Sequence, residues 1–363
     1  MKEQFRSQPP EVKTELKSTR DYTQSKDVVQ AIERLVAGLK EDGDDYRMFN
    51  LLGVVLQQNP ELLMPVIRGS LNLAKSQLGQ DRQAGSSATL LYPVDAAIRV
   101  VAKRLQLLDT DPLSANSWNA QKIATVLEQY PREIVNLAGN NTTSKNLPQR
   151  AAHILWLLDQ CPLIQPEQKI SFMEIGASGG LILDALQQPK KFQQWMQARG
   201  YRSDFALKSN SKMTNPTLGL DLVKPELDWL QAVILEDELR KETTEFIGDF
   251  ARSRVITGNA IELDRLTEVN NFVTQNSADL PVIFSCFVFY QLDEAARNTV
   301  TNQARSLLKQ QGGGLLLISD IAKYRGFPEK AGGCVSWAED QTGQQVTPKI
   351  MLSKSTLTEW KEI

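Results

Sequence analysis

Along the first half of the chain, apolar residues recur at spacings of three and four, as in Val28-Val29-Ile32-Leu35-Val36-Leu39 and again from Leu51 to Leu63. That is the period of an amphipathic helix. No strand-like run interrupts it before about Gln149. Breaks fall at Asp42-Gly43-Asp44, Gly79 to Ser87, Asp109 to Pro112 and Gly139 to Ser144, where turn-forming Gly, Asp, Asn and Ser cluster. The pattern predicts an all-helical N-terminal domain over residues 1–145. Its opening segment, Met1 to Ser25, is polar and contains Pro9-Pro10, so a mobile tail or arm is expected there.

From Ile170 the pattern changes to short apolar runs separated by helical stretches, the signature of βα units on a largely parallel sheet. Strands are predicted at Ile170–Ile175, Thr217–Leu222, Arg254–Thr257, Pro281–Phe287 and Gly314–Asp320. Helices are predicted at Leu181–Gln187, Pro225–Ile247, Ile261–Gln275 and Asp293–Gln310. The second domain, over 146–363, is therefore expected to be a doubly wound α/β unit. Right-handed crossovers put all its strand C-terminal ends on one edge, with a ligand at the point where strand order reverses. The glycine turn after Ile175, Asp221, Asn259, Phe287 and Asp320 all fall at such ends. Residues 187–216 form a connection longer than such a fold needs. They carry Lys190, Lys191, Arg199, Arg202, Lys208 and Lys212 with Trp195, Tyr201 and Phe205. A basic, aromatic lid and a solvated insertion are both consistent with that composition.

Composition narrows the partners. With 41 basic and 43 acidic residues and a pI near 5.8, the chain has no global field to attract nucleic acid or an anionic membrane. No apolar run is long enough to span a bilayer, and Met1-Lys2-Glu3-Gln4-Phe5-Arg6 lacks an apolar leader, so the cytoplasm is the expected location. Cys161, Cys286 and Cys334 are scattered and read as reduced thiols. A single histidine, His153, excludes a histidine-rich metal site, and no metal is expected.

The candidate chemistry centres on Phe172-Met173-Glu174-Ile175-Gly176-Ala177-Ser178-Gly179-Gly180-Leu181. A dinucleotide site calls for G-x-G-x-x-G, whereas Ser178 and Leu181 stand at the second and third glycine positions. Glu174, at the base of the loop, would repel a pyrophosphate and suits a ligand carrying positive charge. S-adenosylmethionine has a sulfonium, an ammonium and no phosphate. Asp221 at the next strand end offers two acceptor oxygens to a ribose, or an N-cap. Asn259 after the third strand offers an amide to an adenine edge.

The order E-I-G-A-S-G-G, G-L-D-L-x-x-P-E, G-N-A, then Lys309-Gln-Gln-Gly-Gly-Gly314 before Leu-Leu-Leu-Ile-Ser-Asp resembles the class I S-adenosylmethionine-dependent methyltransferases over about Ile170 to Asp320. More narrowly, with Asn146-Leu-Pro-Gln-Arg150, it resembles an uncharacterised bacterial methyltransferase-like family that joins a helical N-terminal region to this core. That family's motif reads E-x-G-A-S-A-G-L-N-L; Gly179 and Ile182 depart from it.

The resemblance implies a Rossmann-like fold, with Glu174, Gly176, Ala177, Ser178 and Gly180 at the methionine end of the cofactor. Asp221 would meet the ribose, Asn259 and Ala260 the adenine, and Phe287 would join them from the fourth strand end. It also implies two further strands after Asp320, one an antiparallel edge; Cys334–Ala338 and Val346–Leu352 fit. Asn146, Arg150 and Tyr324 are candidate substrate contacts, and His153, Tyr290 and Asp320 candidate bases, although a packed helix histidine is the plainer reading of His153. The base-amino signature [D/N/S]-P-P-[Y/F/W] is replaced by Ser285-Cys286-Phe287-Val288, which with the acidic pI argues against a nucleic-acid substrate. A small molecule or peptide is the expected methyl acceptor, with a homodimer left open. The rivals are a protein that binds the cofactor without catalysis and a nicotinamide-dependent oxidoreductase.

Overall fold

The computed structural model describes residues 25–37, 39, 41, 43–78, 87–141, 147–165, 168–205, 215–286, 288–289, 292–321, 334–352 and 360–362. The opening tail, the boundary at 145, and Asn146, Phe287, Tyr290 and Tyr324 lie outside these residues.

The described elements before Ile170 are all helical: α1 (Ser25–Val36), α2 (Asp44–Gln58), α3 (Pro60–Leu78), α4 (Ser87–Arg104), α5 (Ala120–Gln129), α6 (Pro131–Asn140) and α7 (Ala151–Gln160). Pro60 and Pro131 open α3 and α6, where a missing N–H costs nothing. Asn119 caps α5 by accepting the Lys122 N–H at 2.9 Å. α1 to α6 bury one core around Met48, Phe49, Leu52, Val94 and Ile98, and Trp229 and Ala232 to Leu235, from far down the chain, complete it.

The second half alternates: β1 (Ile170–Ile175), α8 (Leu181–Gln187), α9 (Pro189–Ala198), β2 (Thr217–Asp221), α10 (Leu227–Ala232), α11 (Asp237–Asp249), β3 (Arg254–Thr257), α12 (Thr267–Gln275), β4 (Leu280–Cys286), α13 (Glu294–Gln310) and β5 (Leu315–Ile321). Then come β6 (Cys334–Asp340), β7 (Ile350–Leu352) and β8 (Trp360–Glu362). The sheet order is β3-β2-β1-β4-β5-β6-β7-β8, with β1 to β5 parallel and β5 to β8 antiparallel. Residues of α7, α8 and α9 cover one face and residues of α12 and α13 the other, so the chain has a mixed α/β, Rossmann-like architecture. Strand order reverses between β1 and β4, which places the crevice at their C-terminal ends.

Three predicted elements differ. The single helix over Pro225–Ile247 is two, because Ala232, Val233, Ile234 and Leu235 are consecutively buried in the helical core. A continuing helix would turn one of them to solvent every few residues. The helix over Ile261–Gln275 starts as a 3-10 turn, Ala260–Arg265, and becomes α-helical only at Thr267. After Asp320 three antiparallel strands are described where two were predicted; β7 is confined to Ile350–Leu352, and β8 has too few apolar residues to be read from sequence. Among the described residues no helix is long and apolar enough to cross a membrane.

Candidate functional site

Five neighbouring strands bring a small or polar side chain to the same end of one face. Cβ directions alternate along a strand, so Asp221 on β2 shares a side with Gly219 and Glu174 on β1 with Phe172. Cys286 on β4 shares that side with Phe284, and Ser319 on β5 with Leu317. The registers Glu174 with Gly219, Glu174 with Phe284, Cys286 with Ser319 and Ser319 with Ser336 keep all five on the α7 side of the sheet. All five are buried. Sequence reading found Glu174 and Asp221 but missed Cys286, Ser319 and Ser336. Their signal was a small polar residue or thiol inside an otherwise apolar run, which also marks ordinary strand ends.

The start of α7 closes this row. His153 is fully buried, and its Nε2 shares a hydrogen bond with Ser319 Oγ at 2.9 Å; Ser319 Oγ and Ser336 Oγ lie 2.6 Å apart. Burial, followed by the charge of Arg150, lowers the His153 pKa to about 3, so the imidazole is neutral. That matches the packed histidine rather than an accessible base. Burial also raises the Cys286 thiol, with Glu174 adding to the effect.

The glycine turn is built tightly. Gly176 has φ 79°, Ser178 φ 48° and Gly180 φ 75°, and Gly180 caps α8 from the left-handed region. A left-handed serine is uncommon and costs about 1 kcal/mol or more. It persists because its N–H donates to Asp221 Oδ2 at 2.6 Å, while the N–H groups of Gly176 and Ala177 donate to the Leu220 carbonyl at 2.7 and 3.0 Å. A Cβ on Gly176 would collide with Val288, and one on Gly179 with Leu230 of α10. Packing therefore accounts for two of the glycines. Arg252 donates to the Gly179 carbonyl and pairs with Asp184 of α8 at 3.2 Å, and Asp184 also accepts the Ser253 N–H at 2.5 Å.

Electrostatically the turn is acidic. Glu174 is 1% exposed, and its Oε2 makes no hydrogen bond. Burial, then Asp221, raises its pKa well above the ordinary carboxylate range; Arg150 opposes that and Asp184 adds to it. Asp221 is raised by burial against the N–H groups of Ser178, Val223 and Leu222. Asp184 is pushed up to about 6 by burial, against Arg252 and Ser253.

The remaining candidates are spread around this centre. Arg150 is buried, and its positive charge favours the anionic forms of Glu174 and Cys286 and disfavours a charged His153, rather than lying at an exposed substrate surface. Asn259 is exposed at the end of β3 and caps the 3-10 turn through the Ile261 N–H, with Ala260 half-buried beside it. The Gly258 N–H donates to the Asp221 carbonyl at 2.8 Å, which ties these two strand ends together. Asp320 is fully buried and shares the opposite face with Leu316 and Ile318, so the sheet separates it from His153.

In the long connection, α9 turns its aromatics inward. Phe192 stacks with Phe205 at 6.4 Å, and Trp195 meets Phe246 edge-on at 5.2 Å. These rings are core rather than a clamp, and Arg199 lies over Trp195 at 4.3 Å. Lys208 and Lys212 lie outside the described residues. A separate cavity of about 430 Å³ between α1 and α2 is lined by Val29, Ile32, Tyr46 and Asn50 among others, and by none of the candidates. Among the described residues no cluster of His, Cys, Asp and Glu could hold a metal ion.

No family model matches the chain, and no curated protein is similar to it. Among solved structures it is similar to the CcbJ methyltransferase from Streptomyces caelestis, at 16% identity over 60% of this chain and 74% of that one, with a TM-score of 0.26. A superposition that loose carries no weight for function.

Proposed function

We propose that this protein is an S-adenosylmethionine-dependent methyltransferase acting on a small molecule or peptide. The observation that carries the reading is the buried, largely uncompensated acidity of the turn. Glu174 has Asp221 and Asp184 as charged neighbours against Arg150 alone, and one of its carboxyl oxygens has no partner. An ionised carboxylate there would repel a dinucleotide pyrophosphate, whereas a cationic ligand supplies the missing charge. The tight turn, the Asp221 carboxylate and Asn259 sit at the ends of adjacent strands β1, β2 and β3, in the order that a methionine end, ribose and adenine require.

When bound, the cofactor supplies a methyl group on a positively charged sulfur, and transfer is an in-line displacement by the acceptor. The chain's part is to bind and orient. Glu174 at the base of the tight turn holds the amino-acid end, Asp221 accepts the ribose hydroxyls on its free lone pairs, and the packed strand ends exclude water. With His153 neutral and bonded to Ser319, the acceptor favoured is one needing no base, a carboxylate or an already neutral amine.

The same burial of His153 and Asp320 favours, as a second reading, a protein that binds the cofactor without turnover. Transfer of a labelled methyl group to a panel of carboxylate and amine acceptors separates the two. Binding itself is tested by thermal shift with S-adenosylmethionine, S-adenosylhomocysteine, NAD and ATP. Either sulfur compound at about 100 times its Kd should stabilise the fold by roughly 2.7 kcal/mol. A shift with NAD and none with the sulfur compounds would overturn the proposal.

A further inference from the structure

Glu174 presents a problem of charge that the methyl-donor reading by itself leaves unsolved. Its carboxyl lies at the base of the turn, 1% exposed, with Oε2 unbonded. The groups facing it can be enumerated by element. β2 contributes Asp221, two residues beyond the register partner Gly219 and on the same side of the sheet. α8 contributes Asp184, itself paired with Arg252 from the loop before β3. β4 contributes the Cys286 thiol, and the start of α7 contributes Arg150 and, beyond it, His153. Against the turn itself, α10 and the segment after β4 present only Leu230 and Val288. Two carboxyls, one of them paired with Arg252, and the Arg150 guanidinium therefore surround a third carboxyl that is itself 1% exposed.

An ionised carboxylate there would need more compensation than Arg150 gives, because burial penalises charge and two like groups add to it. A neutral carboxyl needs none. A ligand bringing a fixed positive charge reverses that balance, since an opposite charge close by favours the ionised form.

Resting on the methyl-donor reading above, we propose that the site exchanges a proton for its cofactor: the neutral Glu174 carboxyl loses one proton to solvent as the cationic cofactor binds and becomes its counter-ion. Charge balances, since the O–H bond of the carboxyl breaks, the electron pair stays on oxygen and the cofactor's positive charge replaces the proton. The consequence is regulatory. Acidification weakens cofactor binding without protonating the cofactor, and below the carboxyl's pKa the Kd rises about tenfold per pH unit. The direction agrees with the raised pKa of this group.

The test is calorimetric titration of the full-length protein with S-adenosylmethionine between pH 5.5 and 7, where the ligand's own ammonium, near 7.7–8.0 in free amino groups, stays about fully protonated. Each titration is run in MES and in Bis-Tris, which both buffer in this range and differ in their heats of ionisation. Towards the acidic end of this range the difference in heat between the buffers is expected to approach one proton released, with Kd falling as pH rises. Neutral 5′-methylthioadenosine should bind with no buffer-dependent heat. Glu174→Gln, which mimics the neutral carboxyl in shape, should bind S-adenosylmethionine weakly, without proton release and with a flat pH profile. Should that variant not fold, Asp221→Asn serves instead. Removing one neighbouring carboxylate moves the midpoint of the pH dependence to lower pH, whatever it does to affinity. Tight binding with no proton release and no pH dependence would overturn the exchange while leaving the methyltransferase reading intact. Failure of S-adenosylmethionine to bind at any pH would overturn both.

Discussion

His153 and Asp184 respond to pH in opposite senses, although both are buried on the same side of the sheet. His153 has a pKa of about 3 in the fold against about 6.5 when exposed. Between those values the unfolded chain binds more protons than the folded one, so stability rises with pH. Asp184, lifted from 3.8 to about 6, does the reverse, because its contribution is complete below about 4 and is lost as pH rises through 6. Substituting one residue at a time isolates each effect. Relative to His153→Gln, the parent protein should lose about 1.4 kcal/mol per pH unit as pH falls from about 6.5 towards 3. Denaturant titrations at several pH values measure this, and parallel curves for the two proteins would mean that His153 is solvated. The chain showed that it has a single histidine and that it lies on a helix, but the 2.9 Å bond to Ser319 joins residues 166 positions apart. Nothing local to either residue announces it.

Elements were legible where one local period governed them. β1 and β3 and helix α8 lie at their predicted bounds, since an apolar run between turn formers leaves few alternatives. The helix over Pro225–Ile247 was not, because Val233, Ile234 and Leu235 belong to a distant core rather than to a face of their own helix. In the turn, glycine has two separable reasons to be present, ligand approach and packing. Gly176 combines a left-handed φ with Val288 in the place of a Cβ, so Gly176→Ala should destabilise by about 1–3 kcal/mol without any ligand. Gly248, in α11 with open space around it, is the control; Gly248→Ala should be neutral or stabilising by up to about 1 kcal/mol. Equal stability of the parent and the Gly176 variant would leave cofactor contact as the only role for that glycine.

Over the whole molecule, the helical half and the sheet are joined through α10 and α11. Arg99 of α4 is fully buried, pairs with Asp95 at 2.5 Å, and donates to the carbonyls of Leu113, at 3.1 Å, and Ala232. Arg240 of α11 donates to that same Leu113 carbonyl at 2.8 Å and pairs with Asp111 and Asp237. Arg99→Met removes the cation from a buried carboxylate and the donor from two carbonyls, for an expected cost of about 3–5 kcal/mol. Because Trp229 and Leu235 complete the helical core, that loss should lower a single transition observed by far-ultraviolet dichroism and by tryptophan fluorescence alike. Two separated transitions would show that the halves unfold independently.

The sequence by itself determined the alternation of elements, the sharp turn after β1 and the carboxyl residue at its base, because each depends on residues within a few positions of one another. Only the tertiary structure decided that Glu174 and Asp221 belong to a row continued by Cys286, Ser319 and Ser336. It alone turned the aromatics of α9 inward and put His153 and Asp320 on opposite faces of the sheet. Strand order and register set those outcomes, and both are fixed by pairings between segments tens of residues apart, which no local period encodes.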